Sequence, residues 1–144
     1  MSATRQPTHR PTRLPDWPLR LEHFFAVRAR MPFAWGRNDC ALFAADAVQA
    51  MTECDPAPAG LRGHTTAKQA YRNIDRHGGL PAIATTALGE PIHPLRATVG
   101  DIVLVQVQGR DALAVCNGTT ALMPSAHGAV SVSMADACMA WRVT

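Results

Sequence analysis

Cys40 is the side chain in this sequence best placed to act as a nucleophile. It follows Trp35-Gly36-Arg37-Asn38-Asp39, a glycine turn ending in a capping residue, and it opens a run of helix-forming residues. A helix N-terminus presents free N–H groups and about half a positive charge, which stabilises a thiolate. The same N–H groups can hold an oxyanion during acyl transfer. Asp39 works against this, because an adjacent carboxylate raises a thiol pKa. Placement alone leaves two readings of Cys40 open, an activated nucleophile and a small buried cysteine.

A thiolate nucleophile also needs a base, normally a histidine held by a third polar group. The candidates are His9, His23, His64, His77, His93 and His127. His9 falls in a proline-rich N-terminal stretch, His23 beside Phe24 and Phe25 on a predicted helix, and His77 at a predicted helix C-terminus. His64 and His93 sit in loops flanked by glycine or proline, and His127 follows a predicted strand in Ser125-Ala126-His127-Gly128. None lies on a predicted strand that would face Cys40. Asp46, on the inner side of the helix that Cys40 opens, reads as a partner for backbone or for Arg37. Trp35 and Trp141 read as packing residues, and Arg110 with Asp111 as a solvated hairpin tip. Cys54, Cys116 and Cys138 are widely spaced and form no C-x-x-C pair with Cys40 or one another. That pattern is neither a zinc ribbon nor a disulfide framework, so no metal and no cofactor is expected.

The elements that must position these residues change character along the chain. Residues 1–15 hold Pro7, Pro11 and Pro15 and almost no apolar side chain, which predicts an extended arm preceding a single domain over residues 16–144. Asp16 is a candidate cap for a first helix, with Pro18 in its first turn, running to about Arg30 before Pro32. A second, largely buried helix spans residues 39–51, with Leu42, Phe43, Val48 and Met51 at helical spacing among five alanines. A loop with Pro56, Pro58, Gly60 and Gly63 leads to a third helix over residues 68–77, stopped by Gly78-Gly79, and Leu80–Leu88 adds a short fourth. From Gly100 the pattern becomes that of strands: residues 102–107, 112–116 and about 121–123, with Asn117-Gly118 as a hairpin turn. Residues 130–132 and 141–143 suggest further strands on either side of a short helix over residues 134–139. Helices first and antiparallel strands second predict an α+β fold.

Composition bounds the classes that such a domain can belong to. The chain has 144 residues, 47% of them hydrophobic and 17% charged, with a net charge of +3. That profile fits one globular domain and excludes a wholly disordered chain. No Lys/Arg run marks a nucleic-acid face, so no nucleic-acid partner is expected. No apolar run approaches the roughly 20 residues of a membrane span, and residues 1–15 lack the apolar segment of a secretory signal. These features read as a soluble protein made in a reducing cytoplasm.

The segment from Trp35 to Cys40, followed by Phe43 and Asp46, resembles the nucleophile segment of the NlpC family of papain-like cell-wall cysteine peptidases. Gly100-Asp101-Ile102-Val103-Leu104 is similar to that family's Gly-Asp strand opening, and Leu113-Ala114-Val115-Cys116-Asn117-Gly118 to its following strand and turn. A closer resemblance is to a family of unknown function encoded in phage and prophage tail modules, with a W-G-x-x-D-C segment and an end in A-W-R. Here that end reads Ala140-Trp141-Arg142-Val143. The resemblance implies a papain-like, NlpC-type α+β fold whose pocket and motif residues are Trp35, Gly36, Asn38, Asp39, Asp46, Gly100 and Asp101.

The departure from the peptidase pattern lies at the base. In NlpC peptidases the catalytic histidine opens the strand after the Gly-Asp strand, a place that falls at or beside Ala112 here. The third polar residue would fall near Met123 or Pro124. His127 could replace the base only if its loop folds back toward Cys40. What the resemblance implies is therefore a virion tail-tip component, made in the host cytoplasm and docked to hub, distal tail or tip subunits, on a degenerate peptidase fold. The alternative is an active peptidoglycan-cleaving peptidase with Cys40 as nucleophile and His127 as base. A third reading is an accessory protein whose pocket holds a small peptide without cutting it.

Overall fold

Four helices precede five strands, and each helix forms where its sequence permits. A computed structural model describes residues 10–144. Helix α1 spans Trp17–Arg28 with Pro18 in its first turn, and it buries Leu21 and Phe24. Asp16 does not cap it; its carboxylate takes Arg20 Nε at 2.8 Å instead. The helix stops at Arg28 rather than Arg30, just ahead of Pro32, whose ring disfavours helical geometry in the residue before it.

Helix α2, Cys40–Thr52, is the centre of the core. Leu42, Phe43, Val48 and Met51 are all but fully buried, each contributing about 1.5–3 kcal/mol by leaving water. Its alanines let α1 and the sheet approach closely. Helix α3, Ala67–Arg76, is capped by Thr66 Oγ1, which accepts from Gln69 N, and it buries Ala70 alone. Gly78 and Gly79 end it at φ +94° and +99°, where a Cβ would be strained. Helix α4 is Leu80–Leu88.

The strands are β1 (Ile102–Val107), β2 (Arg110–Cys116), β3 (Thr120–Ser125), β4 (Gly128–Ser133) and β5 (Ala137–Trp141). They form one antiparallel sheet in the order β4-β3-β2-β1-β5. The fold is thus α+β, with the helices ahead of the sheet. The short helix expected over residues 134–139 is a single 3-10 turn, Met134–Asp136, and the chain then pairs with β1 as β5. The open edge of β1 offers backbone partners to this segment, four pairs across one bulge, and that pairing outweighs the local helix propensity of its alanines and methionines. The last strand ends at Trp141 rather than Val143 because Trp141 pairs with Ile102, the first residue of β1, and Val143 N turns to the Asp101 carboxylate instead.

Period-2 alternation splits the sheet's side chains between two clusters. Ile102, Leu104, Leu113, Val115 and Trp141 join the helices in the larger one. Val103, Val105, Ala112, Ala114, Met123 and Ala140 form the smaller one on the other face. Cys40 stands at the boundary: Ala41 and Leu42 belong to the larger cluster, while Cys40 packs against the smaller.

The expected N-terminal arm divides in two. Residues 1–9, with His9, lie outside the described residues. From Arg10 onward the chain has no helix or strand before α1, yet it is anchored: Leu14 N donates to Met51 O, and Arg13 reaches Asp101 and the carbonyl of Val143. Among the described residues no helix is long and apolar enough to cross a membrane.

Candidate functional site

The turn before Cys40 is built by its own side chains. Asp39 accepts from Leu42 N through one oxygen and from Gly36 N through the other, each at 2.9 Å. One carboxylate therefore caps α2 and closes the turn, and a cap of this kind is worth about 1 kcal/mol. Asn38 is 1% exposed and donates to the carbonyls of Met31 and Pro32 while accepting from Arg28 Nη1 at 3.0 Å. Gly36 is required twice over. Its φ is +75°, and a Cβ there would lie 2.1 Å from the backbone oxygen of His64.

Cys40 opens α2 as expected, but its environment suppresses the thiolate. Burial pushes the Cys40 thiol up to about 11, and the charge of Asp39 adds to the rise. Backbone N–H groups of Leu113, Ala41 and Cys40 itself oppose the shift without cancelling it. Desolvation thus outweighs the favourable pole of the helix.

No imidazole compensates. His64 bonds Asn73, His77 bonds the carbonyl of Ala59, and His93 accepts from Leu95 N; among the described residues none hydrogen-bonds Cys40. Ala112 and Met123, where the resemblance would put base and third residue, are buried members of the apolar cluster that Cys40 packs against. His127 is exposed in the turn between β3 and β4. That turn is pinned to the segment that follows α1, by Ala129 N donating to Ala29 O and Phe33 N donating to Ser125 O. Beside Ala41 and Leu113 there is a recess of about 30 Å³ lined by residues such as Ala44, Leu61 and Ile83. Its walls are alkyl, its volume is about that of one water, and Cys40 does not line it.

The remaining motif residues hold the fold together. Asp101 is 0% exposed and accepts from Arg13 Nη2 at 3.0 Å, Val143 N at 3.1 Å and Thr98 N at 2.9 Å. It ties the start of β1 to both ends of the domain. Gly100 at φ +91° leaves room for Met51 Sδ, which a Cβ would approach to 2.9 Å. Asp46 does not pair with Arg37, which is exposed; it takes Arg28 and Arg62, the latter at 2.7 Å. Arg28 reaches it because it lies in the last turn of α1, at the crossing with α2. Trp35 stands edge-on to Phe33 and to Tyr71, with ring centroids 4.6 and 5.5 Å apart, and Trp141 is fully buried with Nε1 on Thr85 Oγ1.

Residues 12–143 match the family described as "Domain of unknown function (DUF6950)". The chain belongs to that family. No curated protein matches it. The match runs from just before Arg13 to Val143 and so includes every partner of Asp101 as well as the Cys40 turn.

A second polar locus lies at α3, outside the motifs around Cys40 and Asp101. Gln69, Arg72, Asn73 and Arg76 fall at i, i+3, i+4 and i+7 on that helix and, with Arg62 and His64, line a recess of about 340 Å³. The helical spacing of polar residues was a legible signal; the loop that faces them was not. Among the described residues no three His, Cys, Asp or Glu side chains gather to hold a metal ion.

Proposed function

We propose that the protein is a non-catalytic component of a phage or prophage tail tip, docked to hub or neighbouring tail subunits and built on a papain-like, NlpC-type fold that keeps its nucleophile position and has lost its base. The observation that carries the non-catalytic part is the state of Cys40. A nucleophile needs a thiolate and a base within hydrogen-bond reach. Here burial pushes the thiol up to about 11, and Ala112 and Met123, where the resemblance would put the polar partners, belong to the apolar cluster that Cys40 packs against. What supports the tail assignment is the ordered set of motifs, from Trp35-Gly36 through Gly100-Asp101 to Ala140-Trp141-Arg142.

Two measurements test the two halves. Thiol labelling mapped by mass spectrometry reads Cys40 against the exposed Cys54 and Cys138 in the same molecule. At pH 7.4 Cys40 is expected to label at least about 100-fold more slowly than the exposed pair, from its smaller thiolate fraction alone. Fast labelling, with release of soluble peptides from peptidoglycan that Cys40→Ser abolishes, returns the active peptidase instead. For the tail assignment, particles purified from an induced host are expected to contain this chain together with tail proteins. Its presence in the lysate and absence from the particles refutes that half.

A further inference from the structure

We infer that the recess between residues 60–64 and α3 is a binding site for a small oxyanion, a phosphate- or carboxylate-bearing group. The recess holds about 340 Å³ and is lined by Arg62, His64, Gln69, Arg72, Asn73 and Arg76 with Gly60 and Gly63. Three of those side chains are cationic and none is acidic. Arg62 is already engaged by Asp46 and Asp55, at 2.7 and 3.1 Å. Arg72 and Arg76 make no ion pair among the described residues, one turn apart on the same helix face. Asp75, the one acid of α3, does not line the recess.

The second observation is at His64. Asn73 Nδ2 lies 3.0 Å from the carbonyl of Gly60 and 3.1 Å from His64 Nδ1. A carbonyl only accepts, so the amide nitrogen faces it as a donor, and its second hydrogen is given to Nδ1. A neutral His64 ring then carries its proton on Nε2. His64 is 7% exposed, and Nε2 is the buried side-chain polar atom without a partner among the described residues. Leaving such a donor unpaired is unfavourable, and buried donors are otherwise matched almost everywhere in folded proteins. That N–H belongs to a residue of the recess wall but has no accessible surface of its own, so an acceptor reaches it only with a small turn of the ring; the exposed guanidinium groups of Arg72 and Arg76 in the same wall meet an acceptor with negative charge directly. Arg supplies forked donors suited to the oxygens of phosphate and carboxylate. This inference uses neither Cys40 nor the tail assignment and stands apart from both.

The test is a ¹H–¹⁵N NMR titration of the full chain with inorganic phosphate, and separately with glutarate, at ionic strength held constant with sodium chloride. Saturable shifts are expected at the His64 ring and the Arg72 and Arg76 side chains. Saturation by phosphate alone assigns a phosphate group, and by glutarate alone a carboxylate. The variant carrying Arg72→Gln and Arg76→Gln is expected to bind about tenfold more weakly or worse, while Arg96→Gln, an exposed arginine outside the recess, leaves binding unchanged. Both α3 positions are exposed and glutamine is a good helix former, so circular dichroism is expected to match the parent. Shifts that follow chloride alone, that fail to saturate with either anion, or that persist undiminished in the double variant overturn the site.

Discussion

The turn that precedes Cys40 and the recess beside α3 touch each other, through Gly63 N donating to Gly36 O at 3.1 Å, yet they treat polar groups in opposite ways. In the turn, Asp39 gives its side-chain oxygens to neighbours three residues away, and Asn38 gives its oxygen and amide to the end of α1 and the segment after it. Asp101, further along the sheet, does the same with both ends of the domain. In the recess, two guanidinium groups and one buried imidazole N–H are left over. Saturated polar groups build architecture, because burying them unpaired would cost more than the fold can spare. Unsaturated ones are the better pointer to a ligand. In the motif that resembles an active site the Asp39 and Asn38 side chains are matched within the fold, whereas beside α3 polar groups are left unmatched.

Three experiments press on that contrast, beginning with the strongest effect. Asp101→Ala strips Arg13 of its buried partner and leaves Val143 N and Thr98 N without an acceptor. Removing one member of a buried pair costs about 3–5 kcal/mol, to be read from urea unfolding. A loss below about 1 kcal/mol would show that the saturated region is not what holds the two termini.

The next effect is pH-dependent. Cys40 titrates near 11 in the folded chain, above its unfolded value of about 8.5–9. The stability from keeping this thiol neutral is complete below the unfolded pKa and is lost as pH rises through the folded one. Between about pH 8.5 and 11 the protein is expected to lose about 2–3 kcal/mol relative to Cys40→Ala. Burial also pushes up the Cys116 thiol, but both proteins share it and it cancels. A difference that stays flat with pH rejects the suppressed thiol.

The smallest effect is the most diagnostic of the recess. Arg72→Gln with Arg76→Gln is expected to change thermal stability by no more than about 0.5 kcal/mol, because neither side chain is used by the fold. A larger loss would move these arginines to the structural side of the comparison.

Much of the fold was legible because period and punctuation agree. The alanine-rich helix after Asp39, the Gly78-Gly79 stop and the Asn117-Gly118 hairpin all stand where local chemistry placed them. Residues 134–139 favour helix locally, and only the open edge of β1, which is invisible along the segment itself, turns them into a strand. Asp46 found Arg28 and Arg62 rather than Arg37 because its partners come from another helix and a distant loop, which spacing along one element does not reveal. His64 looked like an ordinary loop histidine until α3 brought Asn73 beneath it.

By itself the sequence determined the α+β order of elements, the cap and glycine turn at Cys40, and the absence of a histidine at Ala112. These depend on neighbours within a few residues, where helix propensity, caps and turns act. Only the tertiary structure decided that Cys40 is suppressed, that Asp101 is a clamp, and that α3 faces a loop across a cationic recess. Each of those depends on desolvation and on partners brought together from distant parts of the chain, and neither exists before the core has formed.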